Sequence, residues 1–102
     1  MRSTTPCATD RGPIAIVGAG LIGRAWAIVF ARAGHPVRLH DMDLQTMQNS
    51  HAYIEARLDE LAEFDLLNDA PLTVLARITC VPYLAEALRD VVLLQETVRE
   101  TV

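Results

Sequence analysis

The chain contains no lysine, because all nine of its cationic residues are arginines. Chemistry that needs a lysine base, a lysine Schiff base or a lysine on a phosphate group is therefore excluded for this sequence. There is also no basic cluster, and the 13 acidic residues give a formal net charge of −4 at pH 7. This charge balance argues against a nucleic-acid partner and against an anionic membrane surface as a partner.

Cysteines and long apolar runs are also scarce. Cys7 and Cys80 are the two cysteines, which is too few for a disulfide framework, so we expect free thiols and a cytoplasmic location. No apolar run reaches the length of a membrane span. Residues 1–12 lack an apolar core, which predicts a flexible tail and not a signal peptide. The hydrophobic content of 51% predicts one globular domain over residues 13–102.

The most informative motif is a glycine-rich turn between two apolar segments. Ile14–Val17 is typical of a buried strand, and Gly18, Gly20 and Gly23 follow it at the spacing G-x-G-x-x-G. A helical pattern runs from Leu21 to Ala33. A strand, this turn and a helix together form the context of a dinucleotide-binding fingerprint.

Each residue of the fingerprint has its own physical role. Gly18 allows the tight turn, Gly20 lets a pyrophosphate approach the backbone, and Gly23 lets the helix pack close to the sheet. The free N–H groups at the helix start predict a pyrophosphate over Gly20, Leu21 and Ile22. Asp41 ends the next apolar segment, where its carboxylate can accept hydrogen bonds from a ribose diol. The alternative is a glycine-rich turn that binds no ligand.

The rest of the chain alternates between strand and helix patterns, which predicts an α/β fold. We expect a Rossmann-type doubly wound parallel sheet, first half, with strand order 3-2-1-4 and helices on both faces. In the first helix, Ile22, Trp26, Val29 and Ala33 recur at helical spacing and are expected to face the sheet. Asp43 is expected to cap the second helix. The predicted strands are about 13–17, 37–41, 77–81 and 91–94, and the predicted helices are about 21–33, 44–64, 71–75 and 82–88.

The segment from Ile14 to Ala27, together with Leu39-His40-Asp41, resembles the start of 3-hydroxyacyl-CoA dehydrogenases. Gly23-Arg24-Ala25-Trp26-Ala27 is most similar to the branch of lambda-crystallin and L-gulonate 3-dehydrogenase. The segment from Leu94 to Glu100 is similar to the family's end of strand four, with Arg99 where proline is commoner. The resemblance implies an oxidoreductase of fatty acid or hydroxy-acid metabolism that transfers hydride from a secondary alcohol to NAD.

The resemblance also implies which residues bind the cofactor and which are missing. Val98 and Glu100 match the segment that passes near the nicotinamide end of NAD. The family's catalytic histidine–glutamate pair has no match here, so no catalytic residue is assigned. His35, His40 and His51 are expected to be structural or solvated, and no metal site is expected. We therefore expect this chain alone to be inactive.

Cofactor and substrate are predicted from local charge. Asp41 has no Arg or Lys beside it in the sequence, and a carboxylate repels a 2′-phosphate, which favours NAD over NADP. FAD and S-adenosylmethionine sites share similar glycine patterns. The acidic surface of the second helix favours a small hydroxy acid such as gulonate or carnitine over an acyl-CoA. The unpaired edge of the fourth strand predicts a homo-oligomer, formed through that edge or through exposed helix faces. The alternative function is a non-catalytic, crystallin-like dinucleotide-binding module.

Overall fold

The computed structural model describes residues 12–97, and these form a parallel four-stranded sheet in the order β3-β2-β1-β4. This order and the alternation of helices with strands confirm the predicted first half of a Rossmann-type fold. The predicted tail, apart from Gly12, lies outside the described residues. The elements are β1 Ile14–Val17, α1 Leu21–Arg32, β2 Val37–His40, α2 Leu44–Glu63, α3 Pro71–Ala76, β3 Ile78–Cys80, α4 Leu84–Leu88 and β4 Leu93–Glu96.

The strand register brings three carboxyl ends to one edge of the sheet. Val17 at the end of β1 pairs with His40 of β2 on one side and with Glu96 of β4 on the other. The residues that follow these strands therefore meet at a common edge. In open α/β sheets this edge is where ligands bind.

Helices cover both faces of the sheet, as the alternating pattern predicts. Val37 and Leu39 of β2 point into the core cluster that also contains Ala27, Ile28 and Ala31 of α1. Arg38 lies between them in sequence, so its side chain points to the opposite face. There it donates hydrogen bonds to the carbonyl oxygens of Glu86, Ala87 and Arg89 at the end of α4. Arg38 thereby ties α4 to that face.

The prediction of which α1 face meets the sheet is wrong. Ile22, Trp26 and Val29 are 59%, 37% and 48% exposed, and Ala33 is exposed too. The buried residues of α1 are instead Gly23, Ala27, Ile28 and Ala31. Small residues at spacing four let the helix axis approach the sheet closely, and larger side chains on that face would hold it away.

The boundaries of β4 also differ from the prediction. The apolar run predicted a strand at Val91–Leu94, whereas β4 spans Leu93–Glu96. Asp90 adopts a left-handed turn with φ 58°, and the Val92 N–H donates to the Pro13 carbonyl before ladder pairing with β1 begins. The strand therefore starts where it can pair with β1 and not where apolar residues start.

The residues at the helix ends agree with the sequence predictions better than the α1 face and the β4 boundaries do. Asp43 caps α2 by accepting a hydrogen bond from the Gln45 N–H at 3.2 Å, which confirms that prediction. Pro71 opens α3, where its missing N–H costs no helical bond. Gly34 follows α1 with φ 103°, a conformation that glycine adopts readily. Within residues 12–97, every helix is too short or too polar to cross a bilayer.

Candidate functional site

A cleft of about 970 Å³ opens at the carboxyl edge of the sheet. The glycine turn and the start of α1 form one wall, and the residues after β2 with the start of α2 form the other. The size is suited to a small organic ligand or a cofactor. The cleft is lined by Val17, Gly18, Gly20, Leu21, Ile22, His40, Asp41, Met42, Asp43, Thr46, Leu84 and Thr97.

The three glycines of the turn occupy different environments. Gly18 has φ 110°, and a Cβ there would collide with Thr97. A Cβ on Gly23 would collide with the Gly18 carbonyl, so Gly23 is needed where α1 crosses the turn. A Cβ on Gly20 would meet no atom within 4 Å. Of the three glycines, Gly20 is therefore the one whose backbone a ligand can approach closely, as a backbone–pyrophosphate contact requires.

The start of α1 adds hydrogen-bond donors to this open space. Gly20 is the N-cap of α1 and provides no side-chain cap. An α-helix leaves its first N–H groups without intrahelical partners, and the helix dipole makes this end favourable for anions. Leu21 and Ile22 follow at once and line the cleft. The residues present thus fit a phosphate group.

Asp41 is held against the glycine turn from the opposite wall. Its Oδ2 accepts a hydrogen bond from the Ala19 N–H at 2.9 Å, and its Oδ1 accepts one from the Asp43 N–H at 2.8 Å. A carboxylate oxygen has two lone-pair sites, so each oxygen retains capacity for a further donor. The side chain is oriented and still able to accept hydrogen bonds from a diol.

Arg24 joins the two walls, a role that the sequence analysis missed. Its Nε donates to the Ala19 carbonyl at 2.9 Å, and its Nη2 lies 3.5 Å from the Thr46 carbonyl. The guanidinium lies 5.0 Å from the centre of the Tyr53 ring. The fold thus brings a cation to the Ala19 residue that Asp41 also contacts, although no cation lies beside Asp41 in sequence. The Nε and Nη2 of Arg24 are directed to backbone carbonyls.

Thr97 packs against the glycine turn on the side of β4, and no local pattern in the sequence predicts this contact. Its hydroxyl lies 3.1 Å from both the Val17 and the Gly18 carbonyl oxygens. Its backbone N–H donates to Val17 at 2.9 Å. Because Thr97 follows β4, this contact joins the ends of two neighbouring strands beneath the glycine turn.

The three histidines lie in different places. His35 Nδ1 is 3.0 Å from the Gly12 carbonyl, and His51 is exposed on α2. His40 is buried in the cleft wall, with Nδ1 3.0 Å from the Val81 carbonyl. Across residues 12–97, no three His, Cys, Asp or Glu side chains cluster closely enough to hold a metal ion.

Two predicted cofactor contacts cannot be placed. Val98 and Glu100 lie outside the described residues, and Glu96 is exposed at the end of β4. The structure brings the other predicted site residues into one cleft: Gly18, Gly20, Leu21, Ile22 and Asp41 line it, and Gly23 packs directly behind the turn.

Comparison with known proteins places the chain among dehydrogenase domains. Residues 13–102 match the model of the family "3-hydroxyacyl-CoA dehydrogenase, NAD binding domain". The human lambda-crystallin homolog is 35% identical over 92 residues, covering 87% of this chain and 28% of that protein. The structure of (S)-3-hydroxybutyryl-CoA dehydrogenase from Ralstonia eutropha superposes with a TM-score of 0.78 and 27% identity, covering 90% of this chain and 32% of that one. The 3-hydroxybutyryl-CoA dehydrogenase of Escherichia coli gives 0.78 and 27%, covering 89% and 19%.

Proposed function

Because this chain belongs to the 3-hydroxyacyl-CoA dehydrogenase family, as its NAD-binding domain, we propose that the cleft binds NAD for a hydride-transferring dehydrogenase. The pyrophosphate lies over Gly20, Leu21 and Ile22, and the adenosine ribose lies on Asp41. The observation that carries this proposal is the open space at Gly20 directly beside the anchored Asp41 carboxylate. Bound NAD would supply the hydride acceptor for the oxidation of a secondary alcohol.

The charges of the cleft support NAD over NADP. Asp41 would repel a 2′-phosphate, and this repulsion needs a free cation to offset it. Arg24 contacts both walls: its Nε and Nη2 donate to the Ala19 and Thr46 carbonyls, and within residues 12–97 it forms no ion pair with Asp41. We therefore propose that Arg24 fixes the cleft walls and does not bind a 2′-phosphate.

The whole protein's reaction is proposed from the family. This chain spans 28% of the length of the human lambda-crystallin homolog, and we propose that the general base comes from beyond residues 12–97. His35 and His40 each have Nδ1 against a backbone carbonyl, and His51 is exposed on α2. The non-catalytic module stays the alternative, and turnover by a longer chain that contains this domain would rule it out.

A small hydroxy acid is the proposed substrate, in preference to an acyl-CoA. Arg57 is the main cation on the acidic surface of α2, and it forms an ion pair with Glu60 at 3.0 Å. This pairing leaves less positive charge for the phosphates of coenzyme A, which are held best by free arginines or lysines.

We also propose that the chain self-associates through β4. One side of β4 pairs with β1, and within residues 12–97 no strand pairs with the other side. Leu93 and Leu94 are 44% and 46% exposed, and they point to opposite faces of the strand. An unprotected apolar edge of this kind is a template for pairing with another chain. The proposed compartment is the cytoplasm, where the free thiol of Cys80 would stay reduced.

The decisive experiment is a titration of the chain with NAD, followed by ¹H–¹⁵N NMR. Gly20→Val is the informative variant, because Gly20 has φ −76° and ψ −166°, an extended conformation that valine adopts readily. The variant should fold and lose NAD binding by steric exclusion. Ala25→Val, at an exposed position of the same helix, should bind as the wild type does. Saturable binding of NAD to folded Gly20→Val, with unchanged affinity, would overturn the proposed pose.

A further inference from the structure

One buried polar side chain in the cleft has an unused hydrogen-bonding atom. His40 is only 7% exposed, yet it lines the cleft. Its Nδ1 lies 3.0 Å from the Val81 carbonyl, and within residues 12–97 its Nε2 has no hydrogen-bond partner. Over the same residues, every fully buried side-chain nitrogen or oxygen has a partner. Nε2 is therefore not sealed in the core and is open to the cleft.

The contact with Val81 decides which ring nitrogen carries the proton. A carbonyl oxygen only accepts hydrogen bonds, so Nδ1 must donate and hold the proton. In the neutral ring, Nε2 then presents a lone pair to the cleft. A ligand group that meets this atom best must be a hydrogen-bond donor.

The position of His40 indicates which part of a dinucleotide it would meet. The glycine turn and Asp41 fix the pyrophosphate and the ribose in the proposed pose, so the base lies on the β2 side of the cleft. His40 shares that side with two apolar side chains, Met42 and Leu84, which are 91% and 46% exposed. Asp43 and Thr46 add polar groups to the same wall. The exposed apolar surface of Met42 and Leu84, with the His40 nitrogen beside it, suits a flat heteroaromatic ring.

We infer that His40 is a specificity-determining residue that recognises the 6-amino group of adenine through Nε2. This inference rests on the proposed NAD site and extends it from the phosphates and the ribose to the base. The amino group of adenine is a donor and complements the lone pair. Hypoxanthine has a carbonyl oxygen at the same position, so two acceptors would face each other.

The test compares NAD with its hypoxanthine analogue in NMR titrations of the wild-type chain. We expect NAD to bind about tenfold more tightly, the effect of one buried hydrogen bond replaced by an unpaired acceptor. In His40→Phe, this preference should fall to within about twofold, because the phenyl ring has no acceptor. The control His51→Phe, at an exposed position of α2, should keep the wild-type preference.

A second measurement does not depend on a folded variant. Long-range ¹H–¹⁵N spectra of the wild type should show a protonated Nδ1 on His40 in the free protein. The Nε2 signal should move on addition of NAD and stay in place with nicotinamide mononucleotide, which has no adenine. Coenzyme A also contains adenine, but it carries a phosphate on the ribose that Asp41 would repel, so it should not bind and should leave the signal in place.

The outcomes separate the two proposals. Saturable NAD binding with equal affinity for the hypoxanthine analogue would overturn adenine recognition by His40 and leave the proposed function intact. A preference that persists in His40→Phe, or an Nε2 signal that responds to coenzyme A and not to NAD, would also overturn it. Absence of any NAD binding would overturn both proposals together.

Discussion

Replacement of Asp41 by alanine tests the cofactor site and the fold at the same time. The carboxylate accepts hydrogen bonds from the N–H groups of Ala19 and Asp43. In the proposed complex, it also accepts from the ribose diol. Hydrogen bonds to a charged group contribute about 1–3 kcal/mol, so NAD affinity should fall by about 5- to 150-fold.

The same substitution has a separate effect on stability. Ala19 is fully buried, so its N–H would lose its partner without ready access to water, at a cost of about 1–3 kcal/mol. Asp43 is exposed, and water can replace the carboxylate there. In a domain of this size each kcal/mol lowers Tm by about 4–8 °C, which calorimetry detects easily.

Asp41→Asn is the matched control, since the amide keeps one acceptor oxygen and nearly the same shape. It should retain more of the stability than Asp41→Ala, yet still lose affinity for NAD because the charge is gone. The measurement is a dissociation constant for NAD and for NADP on each folded variant. Asp41→Ala with wild-type NAD affinity, or a wild type that binds NADP as tightly as NAD, would refute the role of Asp41.

Three further predictions concern thermal stability, self-association and catalysis. Gly23→Ala should lower thermal stability clearly, because its Cβ would collide with the Gly18 carbonyl; a Tm equal to wild type would show that the turn can shift at no cost. Light scattering at high concentration should detect dimers or larger species, and Leu94→Lys should reduce them by placing charge on the β4 edge; a wild type that stays monomeric contradicts self-association. The purified chain should form no NADH from 3-hydroxybutyryl-CoA, L-gulonate or carnitine, because hydride transfer needs a base and a positioned substrate carbon; robust turnover would place a catalytic residue within this chain.

Much of the fold could be predicted because its signals are local. The glycine turn, the preceding apolar strand and Asp41 each require a particular residue type at a particular spacing. The cap at Asp43 and the proline at the first position of α3, Pro71, also act within one helical turn. Such features are readable from a single sequence.

The errors arose where distant parts of the chain decide the outcome. Helix α1 has two sets of apolar residues at helical spacing, one that includes Ile22 and Trp26 and one that includes Gly23 and Ala27. The second set faces the sheet because its small residues permit close approach. The start of β4 is set by pairing with β1. The contacts of Thr97 with Gly18 and of His40 with Val81 join residues far apart in sequence, and no local pattern reports them.

The small residues between α1 and the sheet have a consequence for ligand affinity. The helix is a stiff body of 12 residues, and its first N–H groups move with it. Ala27 lies about 6 Å along the helix axis from Gly23 and is fully buried against the core. A bulkier residue at Ala27 would tilt or lift the helix, and so displace the donors at Leu21 and Ile22. The size of the side chain at position 27 thus affects phosphate affinity, although the phosphate does not contact that residue.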